Sequence, residues 1–230
     1  MATSKNQRYG IMAILVVTVV GTIGSFAVMV LSSQNQANEA AAQQKITNSY
    51  QNAAKSYQEK IDSQATQLSN QYFSTFSQYS SQVGAFDMSG VSSLKYEDLV
   101  VGNGAQISGT TKFAAYYIGW NPKGKIFDQS IDGDKLKAPI YHSNTTQGFI
   151  SLDQGIDKAM LIQGWKDGMK GMKIGGVREI TIPSDLAYGE SGKGDDIPPN
   201  TPLKFVVLAI PAPESIAEPA LPASLYQGVQ

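Results

Sequence analysis

The sequence predicts an α+β domain, with an antiparallel sheet and one short helix, preceded by a long helical segment. Residues 177–183 alternate apolar and polar side chains with the period of a half-buried strand, and 203–207 form a second strand pattern. Residues 161–172, just before them, carry a short helical pattern. Further upstream, residues 32–85 place apolar side chains at helical spacing over a much longer stretch.

The composition excludes several kinds of functional site. The formal net charge is −1, so the charge balance gives no indication of a nucleic-acid partner. The chain has no cysteine and His142 is its only histidine, which excludes disulfides, thiolate or multi-histidine metal sites, and nucleophile–histidine pairs. The glycines at 102–104 and 171–176 lack the spacing and the Lys-Ser/Thr pair of a phosphate-binding loop. We therefore expect neither a metal nor a cofactor.

The N-terminal residues have the pattern of a membrane anchor. After a polar stub at 1–10, residues 11–31 carry no charge and would form about 31 Å of helix, enough to cross a hydrocarbon core of about 30 Å. Signal peptides usually have a shorter apolar core, so we expect a retained single-pass transmembrane anchor. Lys5 and Arg8 precede the span, which predicts a cytoplasmic N-terminus and an extracytoplasmic remainder at the cell membrane. A cleaved signal stays open as the alternative, because small residues follow the span.

Residues 32–89 are rich in Gln, Asn, Ser and Ala and are predicted to form a helical stalk. Their apolar side chains recur about every 3.7 residues, at Ile46, Tyr50, Ala53, Tyr57, Ile61, Ala65, Leu68, Tyr72, Phe76 and Tyr79. A lone helix with so few large apolar side chains is marginal in water, so we expect it to pack against something. Three roles stay open: a spacer that lifts the next domain off the membrane, a segment that self-associates into a homodimer, and a surface that holds clients.

A break at 84–90 separates the stalk from a globular domain that we place at 90–211. Its predicted elements before the helix are a strand entering a turn at 96–104, a central strand at 109–117, a hairpin turn at 122–125 and the start of another strand at 126–128. The proline-rich tail at 212–230 can neither join a sheet nor continue a helix, so we expect a disordered extension.

The domain also contains aromatic and apolar residues accompanied by few polar groups, which is the composition of a small apolar binding pocket. The candidates are Tyr117, Phe127, Asp128, Leu161, Ile162, Trp165, Tyr188, Ile197 and Phe205.

Several blocks of the domain, in this order, resemble the FKBP-type peptidyl-prolyl cis-trans isomerases. The blocks are 116–120 (Tyr-Tyr-Ile-Gly-Trp), 124–130 (Gly-Lys-Ile-Phe-Asp-Gln-Ser), 162–165 (Ile-Gln-Gly-Trp), 177–183, 185–189 (Asp-Leu-Ala-Tyr-Gly), 197–199 (Ile-Pro-Pro) and 203–207. The resemblance covers roughly residues 94–211, and the anchor makes the chain similar to membrane-anchored bacterial members. It implies an FKBP-like twisted antiparallel sheet of about five strands wrapped around one short helix. It also implies prolyl isomerase (rotamase) activity and binding of FK506-type macrolides.

An apolar pocket suits this reaction without a metal or a cofactor. Rotation about the peptide bond meets a barrier of about 18–20 kcal/mol. The twisted amide of the transition state has lost resonance and is less dipolar than the planar amide. Transfer to an apolar site therefore disfavours the transition state less than the ground state.

The resemblance implies roles for the pocket aromatics. Trp165 would be the floor beneath the proline ring, and Tyr117, Phe127 and Phe205 would form the walls. Phe149 is the nearest candidate for an aromatic expected on the strand before the pocket helix.

The resemblance also implies roles for the residues around the aromatic set. Leu161 and Ile162 would line one edge, with the Ile162 N–H donating to a substrate carbonyl. The Tyr188 hydroxyl would make a second such bond, Asp128 would lie beside the twisting amide, and Ile197 would touch the substrate from an overhanging loop.

Some positions depart from the family pattern. Lys193, Asp195 and Asp196 make the predicted mouth of the pocket more charged than usual. Many members have an arginine that pairs with the pocket aspartate, but this sequence has no arginine at the corresponding position, near Gly133. The segment 131–160 is longer than in a compact member by roughly fifteen residues. Such an insertion costs little stability because loop-closure entropy grows slowly with loop length. These departures predict an altered substrate preference or lower activity.

The leading hypothesis is a membrane-tethered prolyl isomerase that acts as a folding catalyst or chaperone for proline-containing exported or envelope proteins. The alternative is a non-catalytic binding module that holds clients or a partner in the same pocket. A third hypothesis makes the stalk the functional part of a scaffold. Retained aromatics with Asp128 and Tyr188 favour the enzyme, whereas the missing arginine and the charged loop favour the binding module.

Overall fold

The structure is a computed structural model that describes residues 5–145 and 148–226. Side chains are described from residue 25 onward, except at 142–151 and 225–226. The chain divides into two compact units, Glu59–Ile216 and the residues on either side of it.

A single helix, α1, runs from Lys5 to Ser77, and its later part confirms the predicted helical stalk. No proline interrupts this stretch of sequence, which allows the backbone to continue without a kink. A search of the described residues finds no helix both long enough and apolar enough to span a membrane. The predicted anchor at 11–31 falls largely on residues 11–24, whose side chains lie outside the described part of the chain.

The compact unit is organised around a five-stranded sheet, whose strands lie in the order β1 (Lys95–Val100), β8 (Val177–Ile182), β9 (Leu203–Pro211), β2 (Phe113–Trp120) and β3 (Ile126–Gln129). Every neighbouring pair in this sheet is antiparallel, as predicted. The strands of the described residues are β1 (Lys95–Val100), β2 (Phe113–Trp120), β3 (Ile126–Gln129), β4 (Ile131–Asp132), β5 (Lys135–Leu136), β6 (His142–Thr145), β7 (Gly148–Ser151), β8 (Val177–Ile182) and β9 (Leu203–Pro211). The strand predicted at 109–117 is therefore displaced toward the C-terminus, because residues 108–111 form a turn in which the Ser108 N–H donates to the Thr111 hydroxyl.

The segment 131–160, predicted as an enlarged loop, contains regular structure. β4 pairs with β5, and β6 pairs with β7, so two short hairpins account for much of its length. Gly133 lies in the turn of the first hairpin with a φ of 62°, a left-handed conformation that glycine adopts readily. Ile140 then forms two backbone hydrogen bonds with Ala115 on β2, which returns the chain to the sheet.

The inner face of the sheet packs on the short helix α2 (Gln163–Met169). This face carries alternate residues of the strands, which are Phe113, Ala115, Ile180, Ile182, Leu203, Phe205, Val207 and Ala209. The helix lies close to the sheet because Gly164 and Gly168 have no side chain. A Cβ at Gly164 would come within 2.2 Å of Ile182 Cγ2, and one at Gly168 within 2.6 Å of Ile180 Cγ2. The helix is shorter than the predicted 161–172 because the backbone of Lys170 leaves the helical region at ψ 138°.

The outer face of the sheet is covered by the last turns of α1. Outer-face residues alternate with the inner set and are Ala114, Tyr116, Ile118, Trp120, Val177, Val206, Leu208 and Ile210. Phe76 is fully buried against them, and its ring centroid lies 6.2 Å from that of Tyr116. The buried Ser69 hydroxyl accepts a hydrogen bond of 2.8 Å from the Leu136 N–H, which fastens the first hairpin to α1.

The last apolar residues of the stalk pattern therefore pack against another part of the same chain. The sequence predicted that the stripe packs against something, and the structure identifies the sheet as that partner for Leu68 to Tyr79. The compact unit accordingly begins at Glu59, whereas the sequence placed the start of the globular domain at residue 90.

One ion pair, between the buried Arg178 and the partly exposed Asp98, joins three elements of the inner layer. The Arg178 guanidinium, 2% exposed, donates to both carboxylate oxygens of Asp98 on β1, at 2.6 and 3.0 Å. It also donates to the Gly168 and Lys170 carbonyls at the end of α2, at 2.8 and 3.1 Å. A cation at a helix C-terminus satisfies carbonyls that have no intrahelical partner. Arg178 therefore holds β1, β8 and α2 together.

The tail that follows β9 has no regular structure until a short helix, α3 (Ala223–Tyr226). The Gln64 side chain donates to the Glu214 carbonyl at 2.8 Å. In the other compact unit, the Tyr57 hydroxyl donates to Glu218 Oε1 at 3.4 Å. The predicted disorder of 212–230 stays a prediction, and 227–230 lie outside the described residues.

We predict that Phe76→Ala lowers the free energy of unfolding by about 3–5 kcal/mol, because it opens a cavity between α1 and the outer face. The matched control is Phe73→Ala on the same helix, where the ring is only half-buried and a smaller loss is expected. Urea denaturation of the full chain measures both. Equal, small losses would contradict the packing of α1 on the sheet.

Candidate active site

A pocket of about 690 Å³ opens at the N-terminal end of α2, over the inner face of the sheet. Among the predicted residues, its lining includes Tyr117, Phe127, Asp128, Leu161, Ile162, Trp165, Tyr188 and Phe205. An adjoining pocket of about 350 Å³ is lined by Ile197 together with Phe127, Asp128 and Tyr188. The structure therefore brings together nine of the ten predicted residues. The tenth, Phe149, has a side chain outside the described part of the chain.

The floor and walls are aromatic. Trp165 is 2% exposed and sits in the first turn of α2, where the inner-face core supports it from below. The Phe127 and Phe205 rings meet edge to face, with centroids 5.6 Å apart and planes at 79°. The Tyr117 ring lies 6.4 Å from that of Phe205. Such edge-to-face and tilted contacts fix ring orientations, so the walls keep a defined shape.

Gly119 makes room for these walls, and the sequence reasoning assigned it no role. A Cβ at this position would lie 2.6 Å from Phe205 and 2.8 Å from Phe127. Gly119 lies on β2 directly opposite both Phe205 on β9 and Asp128 on β3. The absence of a side chain therefore lets the two rings settle onto the sheet backbone. The sequence could have indicated a role for Gly119, because it lies between the predicted pocket residues Tyr117 and Phe127.

Asp128 has a partner other than arginine. The Tyr117 hydroxyl donates to Asp128 Oδ2. Burial, and then the hydrogen bond and the negative charge of Asp128, raise the pKa of Tyr117 well above its usual range. The tyrosine consequently stays protonated at physiological pH and keeps the carboxylate in place. Many family members carry an arginine near the position of Gly133. In this chain Gly133 lies in a hairpin turn and does not line the pocket.

The hydroxyl of Tyr188 remains a donor toward the pocket. Lys193 Nζ lies 5.2 Å from the centroid of the Tyr188 ring and donates to its hydroxyl oxygen at 3.4 Å. An ammonium group that donates to a phenol oxygen leaves the O–H proton free and strengthens it as a donor. The predicted replacement of a family residue by Lys193 therefore places a charge beside a polar group of the pocket.

The overhanging loop is fastened to the hairpin between β2 and β3. The Asn121 side chain donates to the Asp196 carbonyl at 2.8 Å and accepts from the Lys123 and Lys125 N–H groups. The Lys125 ammonium also pairs with the Asp196 carboxylate. These contacts hold Ile197, which is 3% exposed, in the adjoining pocket.

The sequence reasoning missed a group of lining residues that carry no motif. They are Ile140, Asp157, Lys158, Ala159, Met160 and Lys166. Five of them come from the insert and the stretch directly before Leu161, and their role follows from chain path alone. Lys166 could have been found from its position next to Trp165 on a short helix.

The five-stranded sheet, the short helix and the aromatic pocket between them define a domain that can hold an apolar group. A sequence model of the family described as FKBP-type peptidyl-prolyl cis-trans isomerase matches residues 104–209. An FK506-binding protein of Neisseria meningitidis serogroup A is 37% identical over 115 residues, which cover 50% of this chain and 92% of that protein. The chain therefore belongs to the FKBP-type peptidyl-prolyl cis-trans isomerase family, as the sequence analysis predicted.

Other relatives match over the same half of the chain. FK506-binding protein 4 of Dictyostelium discoideum is 42% identical over 116 residues, which cover 50% of this chain and 27% of that protein. The chain thus spans about a quarter of the length of this relative. A crystal structure of a peptidyl-prolyl cis-trans isomerase from Pseudomonas syringae pv. tomato is 28% identical, with 55% of this chain and 88% of that chain covered and a TM-score of 0.41.

We predict that Gly119→Ala displaces the Phe127 and Phe205 rings and lowers the free energy of unfolding by about 1–3 kcal/mol, as overpacking does. Aromatic NMR shifts of the full chain report the ring positions, and urea denaturation reports stability. Gly90→Ala is the control, because no atom lies within 4 Å of a Cβ at that position. Unchanged aromatic shifts in Gly119→Ala would show that the rings do not rest on this backbone.

Proposed function

We propose that the chain catalyses cis-trans isomerisation of peptide bonds that precede proline in polypeptide clients. The single observation that carries this proposal is the aromatic pocket with the buried Trp165 at its floor, in a domain of this family. A proline ring is a compact apolar group that such a pocket can desolvate. Uncatalysed isomerisation takes tens to hundreds of seconds, so a catalyst changes the rate at which clients fold.

The pocket favours the transition state by its low polarity. A planar amide is strongly dipolar, whereas the twisted amide has lost resonance. The twisted amide therefore loses less hydration free energy when it leaves water. Phe127, Phe205 and Trp165 supply apolar surface around the proline ring. No covalent bond forms or breaks, so the pocket residues need only bind and orient the peptide and exclude water from it. Catalysis then follows from tighter binding of the twisted form than of the planar one.

Polar groups at the rim orient the substrate. The Tyr188 hydroxyl can donate to a substrate carbonyl, because Lys193 occupies its oxygen and leaves its proton available. Ile162, the residue before α2, and Leu161 line one edge, so that a backbone N–H there can hold a second carbonyl. Asp128, fixed by Tyr117, lies beside the bond that twists. Ile197 contacts the substrate from the adjoining pocket.

We predict that the full chain accelerates cis-to-trans relaxation of a Leu-Pro peptide and that Trp165→Leu reduces kcat/KM by about 10–100-fold, because the proline ring loses its floor. The matched control is Trp120→Leu, which alters the other tryptophan, on the outer face. It is expected to lower stability and to keep most of the activity. Far-UV and near-UV circular dichroism checks that both variants are folded.

Three results distinguish the hypotheses. Acceleration that Trp165→Leu removes and Trp120→Leu retains supports the isomerase and its site. Binding of a Leu-Pro peptide without acceleration by the folded wild-type chain supports the alternative, a non-catalytic binding module. Equal loss of activity in both variants would refute the assignment of Trp165 to the site. Binding of an FK506-type macrolide in competition with the peptide adds an independent test of the pocket.

For the location, we propose a single-pass anchor at 11–31 that tethers the isomerase to the outer side of the cell membrane. Support comes from the uncharged run of sequence and from Lys5 and Arg8 before it. Exposed apolar side chains at the described end of this run include Phe26, Val28, Met29 and Leu31. The clients would then be exported or envelope proteins. The stalk would serve as a spacer or as a homodimer contact, as its sequence left open.

We predict that the full chain sediments with membranes and resists carbonate extraction, because an apolar helix stays in the bilayer. Protease added outside intact cells should remove the domain, whereas the N-terminus stays protected. Introducing charge with Val17→Lys and Val20→Lys should release the chain, and Ser4→Lys is the control that leaves the apolar run unchanged. Recovery of the wild-type chain in the carbonate supernatant would refute the anchor.

A further inference from the structure

The two adjoining pockets share their central residues and differ in charge at their outer ends. Both are lined by Phe127, Asp128, Tyr188 and Lys193. A peptide whose proline ring lies over Trp165 in the larger pocket has the shared residues beside it. Its two flanks can then reach the unshared parts of the larger and of the smaller pocket. The charged residues at the two ends are therefore in a position to contact residues that flank the proline.

One end is cationic. The part of the larger pocket that the smaller pocket does not share is lined by Lys158 and Lys166, and we call this pair the cationic side. Neither ammonium group forms an ion pair with a carboxylate of the described residues. The carboxylate next to them, Asp157, is already engaged by Lys170 Nζ at 3.0 Å. Two ammonium groups at the rim of the larger pocket thus remain available to a ligand.

The other end is acidic. The smaller pocket is lined there by Asp195 and Asp196, and we call this pair the acidic side. The Asp196 carboxylate pairs with Lys125, which lies on the hairpin outside the pocket lining. Asp195 is exposed and forms no ion pair within the described part of the chain. A carboxylate is therefore left to face a ligand at this end.

The central charges do not cancel this difference. Asp128 and Lys193 line both pockets, so they act on both ends of a bound peptide. Asp128 accepts from Tyr117, and Lys193 lies against the Tyr188 ring. The charge that distinguishes one end from the other is therefore supplied by the cationic side and the acidic side.

We propose that this site selects peptides by charge polarity, with an acidic residue on one side of the X-Pro bond and a basic residue on the other. The acidic residue lies at the cationic side, and the basic residue lies at the acidic side. Opposite charges across an interface give orientation and specificity more than raw affinity. This selectivity rests on the proposed function, since it names the substrate class of the same pocket.

The test compares two isomeric peptides, Glu-Ala-Leu-Pro-Ala-Lys and Lys-Ala-Leu-Pro-Ala-Glu, with blocked ends, and a neutral peptide with Gln at both positions. The full chain should prefer one charged peptide over the other by about three- to tenfold in kcat/KM and in affinity, because exposed ion pairs are individually weak. The preference should shrink in about 1 M salt, where the screening length falls to about 3 Å. Affinity is measured by NMR titration.

Charge reversal makes the test specific. The double variant Lys158→Glu, Lys166→Glu should lose or invert the ratio between the two charged peptides, and Asp195→Lys should reduce it. Lys112→Gln, an exposed lysine outside both pockets, is the matched control and should keep the wild-type ratio. The ratio is compared within each variant, so a general loss of activity does not affect the result.

Each outcome separates the polarity from the isomerase activity. Turnover of the neutral peptide with equal rates and affinities for the two charged peptides would overturn the polarity and leave the proposed function intact. Binding with a charge-dependent ratio but without turnover would overturn the isomerase and retain the polarity. A ratio that survives charge reversal would assign the preference to other residues and overturn the inference. Failure of every peptide to bind would overturn both.

Discussion

The structure depends on one constraint, which is that the sheet is apolar on both faces and both must be kept from water. Residues of β2 alternate between the faces, so that Ala115 and Tyr116 belong to different cores. The inner face is covered by α2, whose two glycines allow a close approach. The outer face needs a second cover, which the end of α1 supplies through Phe76. Layers on both sides of a sheet are a general solution to this requirement. A helix that reads as a stalk is therefore also part of the domain.

The pocket is a local consequence of the same packing. Because helix and sheet are in close contact, Trp165 in the first turn of α2 lines the same pocket as Phe127 of β3 and Phe205 of β9. Neighbouring tyrosines show how one strand serves two purposes. Burial raises the pKa of both Tyr116 and Tyr117, but only Tyr117 faces the pocket, where its hydroxyl holds Asp128. Apolar walls that are rigid and polar groups that are few match a reaction whose transition state is less dipolar than its substrate.

Sequence reasoning predicted the sheet and most of the pocket because their signals are local. The alternation at 177–183 depends on near neighbours, and the family blocks fix the order of Tyr117, Trp165 and Tyr188. Sequence reasoning could not identify the surface against which the stalk packs. A helical period of apolar residues indicates that one face of the helix is buried, but it does not indicate which surface covers that face. Gly119 and Lys158 were missed for a related reason. Their roles come from residues that are distant in sequence: Phe205 on β9 for Gly119, and the pocket residues of β2, β3 and β9 for Lys158.

The strand order β1-β8-β9-β2-β3 has a consequence for the biogenesis of the chain. β9 lies at the centre of the sheet, although it is the last of the sheet's five strands to leave the ribosome. Phe113 pairs with Pro211, so the two central strands are joined by nearly the whole length of the domain. Contacts of such long sequence separation form slowly. Until residue 211 has emerged, β2 and β8 lack their shared neighbour and α1 lacks a complete surface to cover. The domain would therefore fold late and in one cooperative step, and a nascent chain stalled before β9 would expose both apolar faces to chaperones and proteases.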